Sequence, residues 1–142
     1  QAPLSPLGRR EALFSKFVNS DLELFGVENP NRLKNLMGFG NYYLKERFDP
    51  GSAGRWFDEA LRVVEHNKKT LPAGGKAYYE LGGFYEKLGR DRVAMYAYEQ
   101  SLKTGSQSTT ERIASMEPLA KLYAAHGEKQ KALKLTKIRL IR

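Results

Sequence analysis

There is no cysteine among the 142 residues. Disulfides, thiol nucleophiles and Cys-ligated zinc or iron–sulfur centres are therefore excluded. Histidine is nearly as scarce. Neither His66 nor His126 has a second histidine or a carboxylate at metal-ligand spacing. Each falls near an expected helix end, where a protonated imidazole suits the helix dipole. No metal and no cofactor is expected. No apolar run approaches the roughly 20 residues of a membrane-spanning helix, and no signal-peptide pattern is present. The chain begins with Gln rather than Met. That is the expectation for a processed or excised piece of a soluble protein. It leaves the compartment open between the cytoplasm and a periplasmic or secreted location reached after leader removal.

Catalytic patterns are missing too. Ala73-Gly-Gly-Lys-Ala77 contains a Gly-Lys step, but a phosphate loop needs a following Ser or Thr and a preceding strand. It reads as a flexible lead into a helix. Asp58, Glu59 and Glu65 resemble an acid/base group only superficially. Asp58 and Glu59 are expected in the first turn of a helix, where carboxylates favour the N-terminus. The expectation is a protein that is not an enzyme.

What is present is ordinary for a folded domain: 41% hydrophobic and 28% charged residues. The net charge of +8 is unevenly placed. Residues 1–71 carry 11 Lys/Arg against 9 Asp/Glu, and residues 72–142 carry 13 against 7. The final stretch holds Lys129, Lys131, Lys134, Lys137, Arg139 and Arg142 with no acid. A basic end of this kind suits acidic partners, protein or nucleic acid, and also suits a helix C-terminus. Its apolar and basic residues are mixed around the circumference, whereas a membrane-lying helix segregates them.

Apolar residues recur at helical spacing. The stripes are Leu13, Phe14, Phe17, Val18, Leu22 and Phe25; Leu33, Leu36, Phe39 and Tyr43; Phe57, Ala60, Leu61 and Val64; Tyr78, Leu81 and Tyr85; Ala94, Tyr98 and Leu102; Ile113, Met116, Leu119 and Tyr123; and Ala132, Leu133, Leu135, Ile138 and Leu140. Helix starts are signalled at Ser5-Pro6, Asn29-Pro30, Ser52 and Ser108-Thr109-Thr110-Glu111. Stops are signalled at Gly26, Gly89, Gly105 and Gly127. The segment 48–54, FDPGSAG, reads as a longer Gly-rich link. No period-two alternation competes. The chain is expected to be all-α, with seven helices.

Three segments share one template. Tyr78-x2-Leu81-Gly82-x2-Tyr85 is followed nine residues on by Ala94-x3-Tyr98-x2-Ser101. Met116-x2-Leu119-Ala120-x2-Tyr123 is followed nine residues on by Ala132. Leu36-x2-Phe39-Gly40-x2-Tyr43 is followed ten residues on by Ala53-x3-Phe57-x2-Ala60. This resembles the tetratricopeptide repeat (TPR), W-x2-L-G-x2-Y then A-x3-F. The middle unit matches best. The Trp is replaced by Leu36, Tyr78 and Met116. The repeat distances, 42 from Gly40 to Gly82 and 38 from Gly82 to Ala120, exceed the usual 34 or so.

The resemblance implies an α-solenoid of three antiparallel helix pairs plus an N-terminal capping helix. The expected division is 1–30 for the segment and cap, then hairpins at about 31–70, 73–105 and 109–142. Small residues at Gly82 and Ala94 would let backbones approach, with Leu81, Tyr85 and Tyr98 filling the space beside them. Tyr98 and Ser101 would face the following unit. Trp56, the single Trp, is expected against the preceding helix rather than in a partner's pocket.

The resemblance further implies a groove lined by the first helix of each pair. Its candidate residues are Lys34, Met37, Asn41, Leu44 and Lys45; then Lys76, Tyr79, Gly83 and Glu86; then Glu117, Lys121 and Ala124. One subset of the family grips a C-terminal carboxylate, and Gly40-Asn41 resembles its Gly-Asn step. Met37, Glu80, Ala114 and Pro118 stand where the remaining clamp residues would be, so that clamp is rejected. The implied function is a scaffold that binds a peptide segment or partner protein, steered by Lys34, Lys76 and Lys121 if the segment is acidic, for assembly of a larger complex. The alternative is nucleic-acid or acidic-partner binding through the basic terminal helix. Leu140 and Ile141 exceed what one core face needs, which leaves self-association through the terminal helices as a further partner.

Overall fold

Helical signals dominate the sequence, and the computed structural model follows them. It describes residues 8, 9, 12, 13, 16, 29–69, 74–104 and 109–141. Among the described residues there is no strand. From residue 29 onward the described α-helices run as α1 (Leu33–Lys45), α2 (Pro50–Asn67), α3 (Gly74–Lys87), α4 (Asp91–Lys103), α5 (Thr109–Ala125) and α6 (Lys129–Ile141). The helix expected before residue 26, and the stops at Gly26 and Gly105, lie almost wholly outside the described residues. Gly8, Arg9, Ala12, Leu13 and Lys16 are helical, but Leu13 is 55% exposed, not buried as its stripe predicts. The chain divides into two compact units, Gln1–His66 and Asn67–Arg142.

In the first unit, Asn29 accepts a hydrogen bond from the Asn31 N–H through its side-chain oxygen at 2.9 Å. Pro30, which has no N–H to satisfy, opens a 3-10 turn, Pro30–Arg32, that runs into α1. The link to α2 is shorter than the glycines of FDPGSAG suggest, because α2 already begins at Pro50. Asp49 is the reason. Its carboxylate accepts from the Ser52 N–H at 3.1 Å and the Ser52 hydroxyl at 2.7 Å. Those two bonds hold its carboxyl below the usual range. The cap is thus Asp49, and Ser52 sits inside the first turn. Asp58 and Glu59 consequently fall in the third turn, not the first. Glu59 pairs with Arg62 at 3.6 Å on the exposed face.

The turn before α2 also explains the ten-residue spacing of the first repeat. In the other two hairpins a glycine takes the left-handed conformation, Gly89 at φ 74° and Gly127 at φ 79°. The next residue then donates back to a tyrosine carbonyl, Arg90 to Tyr85 and Glu128 to Tyr123. In the first hairpin Phe48 holds that place at φ 52°, and Asp49 donates to the Tyr43 carbonyl at 2.9 Å. The loop between the paired groups is one residue longer.

α1 packs on α2 at Gly40. A Cβ added there would lie 2.5–2.7 Å from the Phe57 ring, so only glycine admits the contact. Trp56 meets Phe39 edge-on at 5.3 Å and lies nearly parallel to Tyr43 at 6.4 Å. It packs on the preceding helix, as expected. Leu36, Ala53, Phe57, Ala60, Val63 and Val64 are buried around this contact. Full burial of a large apolar side chain contributes about 1.5–3 kcal/mol.

The second unit repeats the device. A Cβ on Gly82 would stand 2.7–2.9 Å from the Tyr98 ring, which fixes the approach of α3 and α4. Tyr78, Leu81 and Tyr85 are fully buried beside it. α3 starts at Gly74, so most of the AGGKA segment is helix rather than a flexible lead. α4 then packs on α5 through buried Ser101 and Ser115, whose hydroxyl oxygens are 2.9 Å apart. The single Ser101 proton goes to the Tyr98 carbonyl at 2.7 Å, so Ser115 supplies the proton between them. Tyr123 on α5 donates its hydroxyl to Glu99 on α4. His126, just after α5, lies 2.9 Å from the Asp91 carboxylate at the start of α4. Its partner is a neighbouring side chain, a more specific role than dipole compensation. α6 begins with the Ala132 N–H donating to the Glu128 carbonyl at 3.1 Å.

Candidate functional site

The second unit contains a groove of about 570 Å³ between α3 and α5, with Tyr98 of α4 in its floor. The side chains on its walls follow from helical spacing. Tyr79, Gly83, Glu86 and Lys87 lie on one face of α3, and Ala114, Glu117, Pro118 and Lys121 on one face of α5. Tyr98 reaches the groove because Gly82 opposite it has no side chain, and its ring slides across the α3 backbone to the groove side.

Two aromatic rings give the site its character. Tyr79 is 38% exposed and meets Tyr98 at a ring distance of 5.9 Å, tilted by 53°. The Tyr98 hydroxyl donates to the Glu86 carboxylate at 2.7 Å. Burial, then that bond to an anion, push the Tyr98 phenol well above its ordinary range. The residue is therefore a fixed neutral donor across the physiological range. Glu117 and Lys121 face each other at 3.9 Å on α5, both largely exposed, a separation at which an ion pair contributes little. Lys87 leans toward Phe84, its ammonium 5.7 Å from the ring centre.

Of the expected groove residues, the structure brings Tyr79, Gly83, Glu86, Glu117 and Lys121 together here. Lys76 is exposed on α3 outside the lining, and Ala124 is exposed on α5. Lys34, Met37, Asn41, Leu44 and Lys45 belong to the other unit. Lys34 and Lys45 are exposed. Met37 is only 9% exposed and belongs to the core, because its place on α1 turns toward the buried face. Asn41 is half-buried, and among the described residues its amide oxygen has no hydrogen-bond partner. Lys129, Lys131, Lys134 and Lys137 are exposed along α6. Lys131 approaches Glu128 at 3.6 Å and the Tyr123 ring at 5.5 Å. The side chains of Arg139, Leu140, Ile141 and Arg142 lie outside the described residues.

Lys87 and Tyr98 are not among the expected groove residues, and Ala114 and Pro118 enter the sequence reading only as positions where clamp residues would stand. Tyr98 was hidden by its template role as a packing ring. Pro118 carries a signal that periodicity alone does not weigh: it lies in the interior of α5. A second surface pocket, about 490 Å³, lies in the first unit beside Trp56, with Tyr43, Arg55, Asp58 and Glu59 around it. Among the described residues no cluster of acidic groups and histidines could hold a metal ion. No described helix is long and apolar enough to cross a membrane.

No family model matches the chain, and no curated protein matches it. Among solved structures, a match is found with the nearly identical TPR-like repeats of a Podosopora anserina protein assigned as a kinesin light chain. The TM-score is 0.65 at 22% sequence identity. The alignment covers 89% of this chain and 62% of that one, so this chain spans less than two thirds of its neighbour's length. Paired helices locked by glycine against an aromatic ring, together with this likeness, show that the chain has the all-α fold of TPR-like helical repeats.

Proposed function

We propose that this chain is a protein-interaction scaffold that seats a segment of a partner protein in the groove between α3 and α5, toward assembly of a larger complex. The observation that carries the reading is the groove itself. Two successive first helices wall it, and its floor is a tyrosine pinned by Glu86. A pre-formed site of this kind binds with little ordering cost on its own side. The exposed ring beside that floor is Tyr79; tyrosine supplies contact area with few rotamers to freeze and is enriched among residues that dominate binding energy.

The test obstructs the groove without touching the core. A Cβ on Gly83 would meet only the Tyr98 hydroxyl at 3.8 Å, an ordinary contact, and beyond it lies the groove. Gly83→Trp is expected to keep the circular dichroism spectrum and to lose specific protein partners in a quantitative affinity capture. Retention of every partner would move the site away from the groove.

A second reading rests on the exposed lysines of α6. If nucleic acid or another polyanion is the partner, affinity will fall steeply with salt and survive Gly83→Trp.

A further inference from the structure

Two hairpins carry an aromatic ring where the small residue of the first helix leaves room, Phe57 against Gly40 and Tyr98 against Gly82. The third does not. The step of 38 residues that carries Gly82 to Ala120 also carries Tyr98 to Thr136. The turns of these two hairpins share that register, since Arg90 donates to the Tyr85 carbonyl as Glu128 donates to that of Tyr123. Threonine is too short to cover the position. A notch of about 180 Å³ stands there instead, lined by Met116, Glu117, Ala120, Lys121, Leu135 and Thr136. Gly40 and Gly82 are buried, whereas Ala120 stays partly exposed. The Thr136 hydroxyl already donates to the Ala132 carbonyl at 3.0 Å, so it asks for no polar ligand. An apolar cavity of roughly 150 Å³ admits a benzene ring.

The same chain displays an unburied ring. Phe48, in the turn between α1 and α2, is 82% exposed. A single exposed apolar side chain is ordinary. This one also holds a left-handed backbone, φ 52°, where the other two turns have glycine, so phenylalanine is strained there and gains no burial in return. Charge fits ring to notch. Lys45, Glu46, Arg47 and Asp49 flank Phe48, two bases and two acids. Glu117 and Lys121 stand at the notch, one of each sign and both largely exposed. Two copies of net charge +8 repel over most of their surfaces. Here a neutral turn meets a neutral rim, with Arg47 complementing Glu117 and Glu46 complementing Lys121.

We infer that Phe48 of a second copy seats its ring in the Ala120 notch, in the place that Tyr98 fills over Gly82. Ring and notch are different surfaces, so the contact is head to tail. Each copy offers one of each, and the association can continue beyond a pair. Ala120 suits an entering ring better than a resident one. Its methyl would crowd a ring held as closely as Tyr98 is to Gly82, whereas a ring arriving from solvent rests on that methyl. The inference does not depend on the groove between α3 and α5.

Sedimentation equilibrium of the full chain tests it. The average mass is expected to rise with concentration. The rise should persist at high salt, where repulsion between like-charged copies is screened and exposed ion pairs count for little. Phe48→Gly removes the ring and suits the left-handed turn. Its melting temperature should hold or rise while self-association weakens about 10- to 100-fold, the worth of burying one such side chain. Ala120→Gly/Thr136→Tyr rebuilds the Gly82–Tyr98 pair in the third hairpin and should weaken association equally, with helix content kept. Mixing the two variants is the decisive arm. One keeps only the notch and the other only the ring, so they should form a 1:1 complex that grows no further. A full chain that stays monomeric overturns the inference. So does self-association that Phe48→Gly leaves unchanged, or a mixture of the two folded variants that fails to pair. Should the rebuilt pair not fold, Phe48→Gly still decides, because its eased turn leaves loss of the ring as the cause of any weakening.

Discussion

At the scale of single residues, two glycines decide how closely the helices of a pair approach. Gly40 faces Phe57 and Gly82 faces Tyr98 with no room for even one added carbon. The Tyr98 ring cannot retreat cheaply, because its hydroxyl is held by Glu86 at 2.7 Å and the ring also meets Tyr79 at 5.9 Å. Gly82→Ala is therefore expected to destabilise the fold by about 1–3 kcal/mol through overpacking, although alanine is the better helix former by about 1 kcal/mol. Urea denaturation measures it; an unchanged or raised midpoint would show that the pair has slack. Phe48 makes the opposite choice. It occupies the left-handed turn position that Gly89 and Gly127 hold elsewhere, and it is 82% exposed. A non-glycine residue is strained there by about 1–2 kcal/mol.

At the scale of elements, two tyrosine hydroxyls tie neighbouring helices together. Tyr98 on α4 donates to Glu86 on α3, and Tyr123 on α5 donates to Glu99 on α4. Burial first, then the bonded carboxylate, raise both phenols above their ordinary range. The sign follows from linkage. The folded state favours the neutral phenol, whereas an unfolded tyrosine ionises near pH 10. The stabilisation is thus complete below about pH 10 and is lost as pH rises beyond it. Alkaline titration followed by phenolate absorbance should show Tyr98 and Tyr123 ionising only as helix content disappears. Comparison with Tyr98→Phe and Tyr123→Phe assigns the signals, and ionisation near pH 10 in the folded protein would show that the bonds are not held in solution. Neither pairing was legible in the sequence. The helices and the ring positions were, because periodicity reports which face of a helix is buried. It does not report which polar group on the next helix a hydroxyl reaches. The cap at Asp49 was missed for a related reason. Two glycines argued for a loop at FDPGSAG, while Asp49 with Pro50 as the first helical residue outweighed them.

At the scale of the whole molecule, repeat architecture makes stability a matter of near neighbours. The template placed Gly82 and Ala94 at the close approach with Leu81, Tyr85 and Tyr98 beside them, and the fold buries all three; it turned Tyr98 toward the following hairpin, whereas the ring lies against Gly82 of its own pair. The groove was half legible. The family resemblance implied a groove holding Tyr79, Glu86, Glu117 and Lys121, which do line one depression, but it also implied Met37, which the fold buries. The buried Arg32, 1% exposed, carried no sequence signal because a charged residue breaks no apolar stripe at its start. Within Asn67–Arg142 the contacts run from α3 to α4 through Gly82, and from α4 to α5 through Ser101, Ser115, Tyr123 and His126. Each of these is internal to that unit. A fragment of residues 67–142 is therefore expected to fold alone, with helical circular dichroism and a single cooperative thermal transition. It should also retain peptide binding in the groove, because every lining residue lies within it. A broad, non-cooperative melt of the fragment would mean that the unit depends on the preceding residues for its core. In that case groove binding should disappear together with the cooperative transition.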